Sequence, residues 1–368
     1  MVNLIFNQLN GLQLLIFILF LIDFNKNVLT ALQCVDENNY PVDWYIAYKL
    51  PVINKENGLT EFGLSYIYVT SHNYSSWITS DIPINATNSL IGNTLSKFYD
   101  HKNDISIILY NDETPYGQVS SDKGHTKGVV LTNSNGGLWL IHSVPKFPHP
   151  DFFDYPETGL KYGQSILCIS LDIKNMDIVG IQLQYNQPYI YYQNMQSSLE
   201  GLVPNLFAAA NNKTIKTAPW YHQVLLNSLQ GTNFISFAKS KNFGKDLYED
   251  WVAPALQSSL LVETWPDGPG RLSSDCTKKF KVQNVETISM VQTNVTFNTT
   301  HDHSKWAVSF PEDDTFWICV GDINRAESQE KRGGGTVCLK NEHVSANFQN
   351  VINAVEDCAN EEFKYYVS

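Results

Sequence analysis

The feature that most constrains how this 368-residue chain can fold is a short pattern that occurs twice. The first copy reads His125-Thr126-Lys127 and the second reads His303-Ser304-Lys305. When the copies are aligned without a gap, Trp139 falls on Trp317, each in an apolar run followed by polar residues. One such tripeptide would be noise, but two in matching surroundings predict a duplicated unit. Duplicated halves of this kind would bring two equivalent sites together at a pseudo-twofold axis.

The remainder of the chain reads as α/β, with mixed α and β patterns in both halves. Compact cores stop growing near roughly 250–300 residues, so a chain of this length is expected to divide. The turn Asn133–Gly137 lies between two apolar runs and predicts a hairpin. Residues 185–220, rich in Tyr, Asn, Gln and Pro, are interpreted as irregular structure joining the halves. We therefore predict one lobe over residues 32–220 and a second over 221–368.

The two HxK units have the composition that phosphodiester cleavage needs. Residues i and i+2 of a strand share a face, so His125 and Lys127 project together, as do His303 and Lys305. Two ammonium groups would stabilise the charge that develops on the phosphorus oxygens. A neutral imidazole would attack phosphorus and form a phosphohistidine, while a protonated one would supply the leaving oxygen with a proton. Because nearby lysines lower imidazole pKa values, an acidic optimum is expected.

Other candidate residues have weaker support in the sequence. His142 ends the run after Trp139 and is an intermediate case: it could reach the site or could be a packing residue. The acidic pairs Asp112-Glu113 and Asp313-Asp314 are interpreted as solvated loops, and the glycine run 333–335 as a flexible turn. No catalytic role is expected for the remaining histidines singled out, which are His101, His149, His222, His301 and His343. No zinc, Walker, HExxH or EF-hand spacing occurs, so no metal and no cofactor are expected.

The N-terminal segment predicts entry into the secretory route. Leu12–Ile22 is almost unbroken apolar sequence, about as long as a signal-peptide core and shorter than the roughly 20 residues of a spanning helix. We predict a signal peptide over residues 1–31, with cleavage after Thr30-Ala31 and no membrane association afterwards. An uncleaved anchor is the alternative reading.

Cysteines and sequons agree with a secreted or lysosomal location. An even number of cysteines behind a signal peptide is typical of disulfides, and sequence spacing leaves several pairings open. The six cysteines are Cys34, Cys168, Cys276, Cys319, Cys338 and Cys358. Predicted N-glycosylation sites are Asn73, Asn85, Asn212, Asn294 and Asn298.

The net charge argues against one way of binding nucleic acid. The chain carries a formal charge of −12 and a pI of about 5.2, which argues against attraction by a bulk positive field. An acidic compartment would bring the carboxylates towards neutrality and let a local basic cleft dominate.

At the same residues the chain strongly resembles deoxyribonuclease II, the acid endonuclease family of the phospholipase D-like superfamily. The resemblance runs from about Cys34 to Cys358. It is carried by PVDWYIAYKLP (41–51), LYND (109–112), GHTKGV (124–129), GGLWLIHSVPKFP (136–148), FGKDLY (243–248), DHSKW (302–306), CVGDINR (319–325) and RGGGT (332–336).

The resemblance implies a phospholipase D-like fold of two similar lobes, each a β-sheet covered by helices. It implies metal-free endonucleolysis of double-stranded DNA at acidic pH that leaves 3′-phosphate ends. The catalytic set would be His125, Lys127, His303 and Lys305, with His142 as an auxiliary residue. The implied disulfides are Cys34–Cys168, Cys276–Cys358 and Cys319–Cys338, the last clamping the loop with Asp322, Asn324 and Arg325 close to the second HxK unit.

The sequence departs from the superfamily pattern at one point, and it leaves two alternative functions open. The superfamily places an Asp five residues after each lysine, where this chain has Thr132 and Phe310; Asn133 could orient an imidazole instead. The alternatives are a catalytically idle secreted DNA-binding or toxin-like protein and a lipid phosphodiesterase. The sequence leaves open a monomer or a homodimer, the base preference, and which histidine is the nucleophile.

Overall fold

The computed structural model describes residues 32–53 and 58–358. The predicted signal peptide, residues 1–31, lies outside the described residues. Within the described ranges, no helix is both long and apolar enough to cross a membrane.

A first antiparallel sheet occupies the N-terminal half of the chain. Its strand order is β10-β6-β7-β8-β9-β3-β4-β5, and the short strands β1 and β2 pair beside it. All residues of β3 and β6 to β9 are buried, so the sheet is covered on both faces, which explains why these strands read as continuous apolar runs. The strands are β1 (Cys34–Val35), β2 (Pro41–Val42), β3 (Trp44–Lys49), β4 (Tyr66–Thr70), β5 (Asn73–Thr79), β6 (Ser106–Asn111), β7 (Lys127–Asn133), β8 (Gly136–His142), β9 (Gln164–Leu171) and β10 (Ile190–Asn194).

A second sheet occupies the C-terminal half. Its order is β11-β12-β18-β17-β16-β13-β14-β15, with β19 pairing with β14. The strands are β11 (Tyr221–Asn227), β12 (Asn233–Lys239), β13 (Leu260–Glu263), β14 (Val282–Met290), β15 (Val295–Asn298), β16 (Trp306–Ser309), β17 (Trp317–Gly321), β18 (Gly334–Lys340) and β19 (Ile352–Val355).

The helices are short apart from two. They are α1 (Leu90–Asp100), α2 (Glu157–Lys161), α3 (Ile173–Asn186), α4 (Pro204–Ala210), α5 (Ala253–Leu256), α6 (Glu327–Glu330) and α7 (Glu342–Gln349). A π-helical turn, Tyr248–Val252, leads into α5. Single 3₁₀ turns occur at Gly58–Thr60, Ser197–Leu199, Val291–Thr293, Thr299–His301 and Pro311–Asp313.

The two sheets lie face to face with α3 between them. One hydrophobic core holds apolar side chains of both sheets and of α3, while separate cores cover the outer faces, beneath α1 and beneath Tyr248–Leu256. Asp172 caps α3 by accepting from the backbone N–H of Asn175 at 2.7 Å. On α3, Gln182 donates to Ser236 of β12 at 2.8 Å. Because sheets surround it, this helix lacks the one-sided apolar stripe that marks a surface helix in sequence.

The two sheets share one spatial order over seven strands. In the first sheet the order is β10-β6-β7-β8-β9-β3-β4, and in the second the corresponding order is β14-β13-β16-β17-β18-β12-β11. The hairpins that follow the HxK units, β7–β8 and β16–β17, occupy the same place. The sheets also differ, since β10 pairs with β6 antiparallel whereas β14 pairs with β13 parallel.

The gapless alignment of the two tryptophans is wrong by one residue. Val130 pairs with Trp139, whereas the matching Val308 pairs with Ile318, because the second hairpin has a longer turn. A shift of one residue turns a side chain to the other face of a sheet. Trp139 therefore packs in the core between the sheets, and Trp317 packs against the outer core of the second sheet.

The interpretation of residues 185–220 as irregular is wrong in part. Within this segment β10 pairs with β6 at the edge of the first sheet, and α4 packs against α3. These elements therefore belong to the first half of the fold and do not form an irregular linker between the halves.

The disulfides are Cys34–Cys168, Cys276–Cys358 and Cys319–Cys338, the pairs implied by the family resemblance. Cys319 and Cys338 stand directly opposite each other on β17 and β18. Asparagines of the five sequons are exposed, so each could accept a glycan; these are Asn73, Asn85, Asn212, Asn294 and Asn298.

Candidate active site

A cleft of about 290 Å³ opens where the two sheets meet, and all four predicted HxK side chains line it. These side chains are His125, Lys127, His303 and Lys305. Each HxK unit lies at the start of the first strand of its hairpin, β7 or β16. Thr126 and Ser304, between histidine and lysine, are fully buried on the other side, as strand alternation requires.

An ionic cluster surrounds His125. The Asp112 carboxylate accepts from Lys127, lies 3.0 Å from Nη2 of Arg332 and lies 3.7 Å from Nε2 of His125. Burial would raise the pKa of Asp112, but the charges of Lys127, His125 and Arg332 outweigh it and hold that pKa below its usual value. Burial, Lys127 and other cations lower the pKa of His125 well below its usual value, opposed by Asp112.

The sequence interpretation of Asp112 and of the glycine run is therefore wrong. Asp112 is a buried member of the cleft and not a solvated loop residue. Arg332 is fixed by donation to the carbonyl groups of Lys123 and Ser120, and β18 begins at Gly334, so this part of the run is not a flexible turn. Asp112 lies in LYND and Arg332 in RGGGT, two of the stretches that carry the family resemblance. That resemblance was the sequence signal that could have identified them as site residues.

An aromatic pair surrounds His303 instead. Its imidazole stacks on Tyr162, with ring centroids 4.0 Å apart and planes 7° from parallel, and Trp265 lies 4.5 Å away at 57°. Burial and the charges of Lys305 and Lys127 lower the pKa of His303 far below its usual value. Burial also lowers the pKa of Lys305 to about 8, and its Nζ donates to the His303 carbonyl at 2.6 Å.

Two buried acids, Asp302 and Glu263, lie near the second HxK unit. The Asp302 carboxylate accepts from the backbone N–H of Ser304 at 2.8 Å, from its hydroxyl at 2.9 Å and from Tyr48. Glu263 is fully buried, and neither carboxyl oxygen has a hydrogen-bond partner among the described residues. Burial and Asp302 raise the pKa of Glu263 well above its usual value, which favours the neutral carboxylic acid.

The structure places the four predicted auxiliary residues in different positions relative to the cleft. Asn324 lines the cleft, while His142 is fully buried behind it and accepts the Val144 N–H on Nδ1 at 3.2 Å. Burial lowers the pKa of His142 to about 3. The prediction that Asn133 orients an imidazole is wrong, because β7 carries it about 20 Å from Lys127, at the far end of the strand.

Asp322, the fourth, is a buried carboxyl beneath the cleft. Its Oδ1 accepts from the Gly335 N–H at 2.9 Å. Burial raises the pKa of Asp322 to about 7, opposed by that hydrogen bond and by Lys127 and Lys305. In the first half, Ser143 stands at the corresponding place and accepts from the Ser165 N–H at 3.0 Å.

Asp322→Asn is expected to make unfolding less sensitive to rising pH. Because the folded-state pKa lies above the unfolded value of about 3.9, the stability that Asp322 contributes is present in acid and is lost as pH rises through about 7. Asparagine keeps the Oδ1 acceptor and cannot ionise, so at about pH 8 the variant should gain up to roughly 4 kcal/mol relative to wild type. Thermal unfolding at about pH 4, 6 and 8 measures this, with exposed Asp314→Asn as control; a difference from wild type that is independent of pH contradicts it.

In the described ranges, no group of three or more His, Cys, Asp or Glu side chains is arranged to hold a metal ion.

A cleft that gathers two imidazoles and two ammonium groups from two sheets has the groups of a phosphodiester hydrolase. The chain belongs to the deoxyribonuclease II family, whose model matches residues 33–358. It is 38% identical to rat (Rattus norvegicus) deoxyribonuclease-2-alpha over 336 residues, covering 89% of this chain and 95% of that protein. Plancitoxin-1 of Acanthaster planci is 36% identical over 335 residues (89% and 93%). Deoxyribonuclease-2 of Caenorhabditis elegans is 33% identical over 359 residues (89% and 94%). The chain is thus a deoxyribonuclease of the endonuclease type.

Proposed function

We propose that this cleft hydrolyses double-stranded DNA without a metal, at acidic pH, through a phosphohistidine, and leaves 3′-phosphate ends. The observation that carries the proposal is the meeting of His125, Lys127, His303 and Lys305 in one cleft, each pair supplied by a different sheet. Four nitrogen groups around one phosphate supply a nucleophile, a proton donor and two fixed cations.

The two imidazoles have different surroundings, and we propose different roles for them. His125 faces the Asp112 carboxylate, which favours the imidazolium form, so His125 is the general acid. His303 lies between aromatic rings with lysines nearby, which favours the neutral form, so His303 is the nucleophile. His303 attacks phosphorus, the bond from phosphorus to the 5′ oxygen breaks, and His125 protonates that oxygen. His125, now neutral, then activates the water that releases the 3′-phosphate.

The acidic optimum follows from the low pKa of His125. A general acid must carry its proton when the bond breaks, and burial with neighbouring cations depresses that pKa. Activity should therefore rise as pH falls below neutrality. Acid also reduces the chain's net charge of −12, which otherwise repels DNA.

We propose that the fold consists of two phospholipase D-like lobes, residues 32–220 and 221–368, related by a pseudo-twofold axis. The shared order of seven strands supports this division, and β11 begins at Tyr221. A signal peptide over residues 1–31, with delivery to lysosomes or secretion, agrees with three disulfides and exposed sequons.

Plasmid cleavage in EDTA across pH tests the proposed function. We expect nicking in excess EDTA at about pH 5, at least tenfold slower nicking at about pH 7.5, and ends that polymerase extends only after phosphatase treatment. Failure of the folded, glycosylated protein to nick DNA would favour an idle DNA-binding or toxin-like protein. Release of choline from a choline lipid, with no DNA cleavage, would favour a lipid phosphodiesterase.

A further inference from the structure

Two lysines far from each other in sequence have the same unusual environment. Lys49 ends β3, Lys239 ends β12, and both side chains are fully buried. Each ammonium group donates to three backbone carbonyl groups of the turn that precedes the neighbouring strand, β9 or β18. Lys49 contacts the carbonyls of Gly159 (2.7 Å), Leu160 and Tyr162 (2.6 Å); Lys239 contacts those of Gln329 (2.9 Å), Glu330 (3.2 Å) and Arg332 (2.7 Å).

Each of these turns ends in a glycine that binds the histidine of the other sheet. The backbone N–H of His303 donates to the carbonyl of Gly163 at 2.9 Å, and the N–H of His125 donates to that of Gly333 at 2.9 Å. Gly163 also packs tightly against the Asp302 side chain, since a Cβ added to Gly163 would lie 2.3 Å from Asp302 Oδ1. The support is therefore crossed: the turn held by Lys49 in the first sheet positions His303, and the turn held by Lys239 in the second positions His125.

In each turn, the residue before the glycine also contacts the surroundings of the opposite histidine's side chain. Tyr162 precedes Gly163 and stacks on the imidazole of His303. Arg332 precedes Gly333 and binds Asp112, which faces His125. One turn thus fixes both the backbone and the flank of the opposite histidine.

We propose that Lys49 and Lys239 are positioning residues, each holding the HxK histidine of the opposite sheet in its reactive place. This rests on the catalytic roles proposed above for His125 and His303. Neither lysine lines the cleft, so each acts through the turn that it binds. Without the ammonium group, three buried carbonyls lose their donor and the turn shifts or loosens. A loss of about 1 Å in alignment is enough to slow a reaction about 10²-fold.

A purely structural role predicts something different. The same carbonyls include the last ones of α2 and α6, and a lysine commonly satisfies such groups at a helix end. A lysine with that role alone would stabilise the turn in its own sheet and would leave the opposite histidine unchanged.

Amide hydrogen exchange of Lys49→Met and Lys239→Met, measured by mass spectrometry on the full glycosylated chain, separates the two readings. We expect Lys49→Met to increase exchange at least tenfold in the peptide containing His303 and not in the one containing His125. Lys239→Met should show the reverse, so each variant is the control of the other. Lys102→Met, which removes a donor to the Pro150 carbonyl away from both histidines, should change neither peptide.

Steady-state kinetics on an oligonucleotide duplex supplies the second readout. We expect kcat to fall about 10–100-fold with KM within about twofold, because the lysines do not touch substrate. The milder Lys49→Gln and Lys239→Gln, which keep amide donors, replace the Met variants if those do not fold. The proposal is overturned if Lys49→Met raises exchange only in the His125 peptide or if Lys239→Met raises it only in the His303 peptide. Exchange that rises equally in both peptides, or an unchanged kcat, also overturns it. Because exchange needs no catalysis, failure of the proposed function would appear separately, as activity that survives loss of His125 or His303.

Discussion

His125→Ala and His303→Ala are each expected to reduce DNA cleavage by about 10³-fold or more while leaving the protein folded. A general acid contributes about 10²–10⁴-fold, and loss of the nucleophile removes the covalent path altogether. Both side chains line the cleft and are only partly buried, so truncation should leave the fold intact. Plasmid nicking with thermal unfolding measures both quantities.

A substrate with a good leaving group separates the two histidines. Thymidine 3′-(p-nitrophenyl phosphate) needs no proton on its leaving group, so His125→Ala should still transfer the phosphoryl group to His303. Without a base to activate water, the phosphohistidine should accumulate, and about one equivalent of p-nitrophenol should appear as a burst. His303→Ala should show no burst.

The matched control is His301→Ala, since His301 lies two residues away and its side chain is exposed. That variant should cleave DNA like the wild type. Substantial DNA cleavage by either catalytic variant would contradict the two-histidine mechanism. A burst seen with His303→Ala in place of His125→Ala would reverse the assigned roles.

Asp112→Asn is expected to have the next largest effect, on stability and on pH dependence together. The carboxylate stays ionised at the working pH because its pKa is held below the usual value, and it lies among Lys127, His125 and Arg332. Removing one partner of a buried ion pair costs about 3–5 kcal/mol, because the remaining charges lose their compensation.

Activity should fall about 10²-fold, and the remaining activity should be displaced to lower pH. Asp112 raises the pKa of His125, so its loss lowers that pKa further and the general acid holds its proton only in stronger acid. Rates from about pH 3.5 to 7 with unfolding curves test this. Glu113→Gln is the control, since Glu113 is the next residue and lines the same cleft. A variant with an unmoved pH profile would show that Asp112 does not act on His125.

The sequence predicted the centre of the site better than its surroundings. Strand alternation places His125 with Lys127 and His303 with Lys305, and local geometry is enough to bring each pair to one face. Asp112 and Arg332 meet only through tertiary structure: they lie in different halves of the chain, and no local pattern marks an acid that becomes buried by a distant arginine. Tyr162 and Trp265 were missed for the same reason.

The fold shows a similar limit. The strongly apolar strands around the β7–β8 hairpin were predicted, because burial on both faces leaves a clear signal. Helix α3 was missed because its surroundings are sheets on both sides, so its apolar and polar residues follow no single stripe. Near the C-terminus, α7 ends at Gln349 and Ile352–Val355 forms β19, which pairs with β14; such long-range pairing leaves no local pattern in the sequence.

The crossed backbone contacts have a consequence for biosynthesis. A ribosome that has made the first sheet has produced His125 and Lys127, but the carbonyl of Gly333 and the guanidinium of Arg332 do not yet exist. Folding of the N-terminal half therefore cannot yield an organised half-enzyme, and premature termination or proteolytic loss of the C-terminal end should release inert fragments. A cell that makes a DNA-degrading protein would be protected during translation by the order in which the chain emerges.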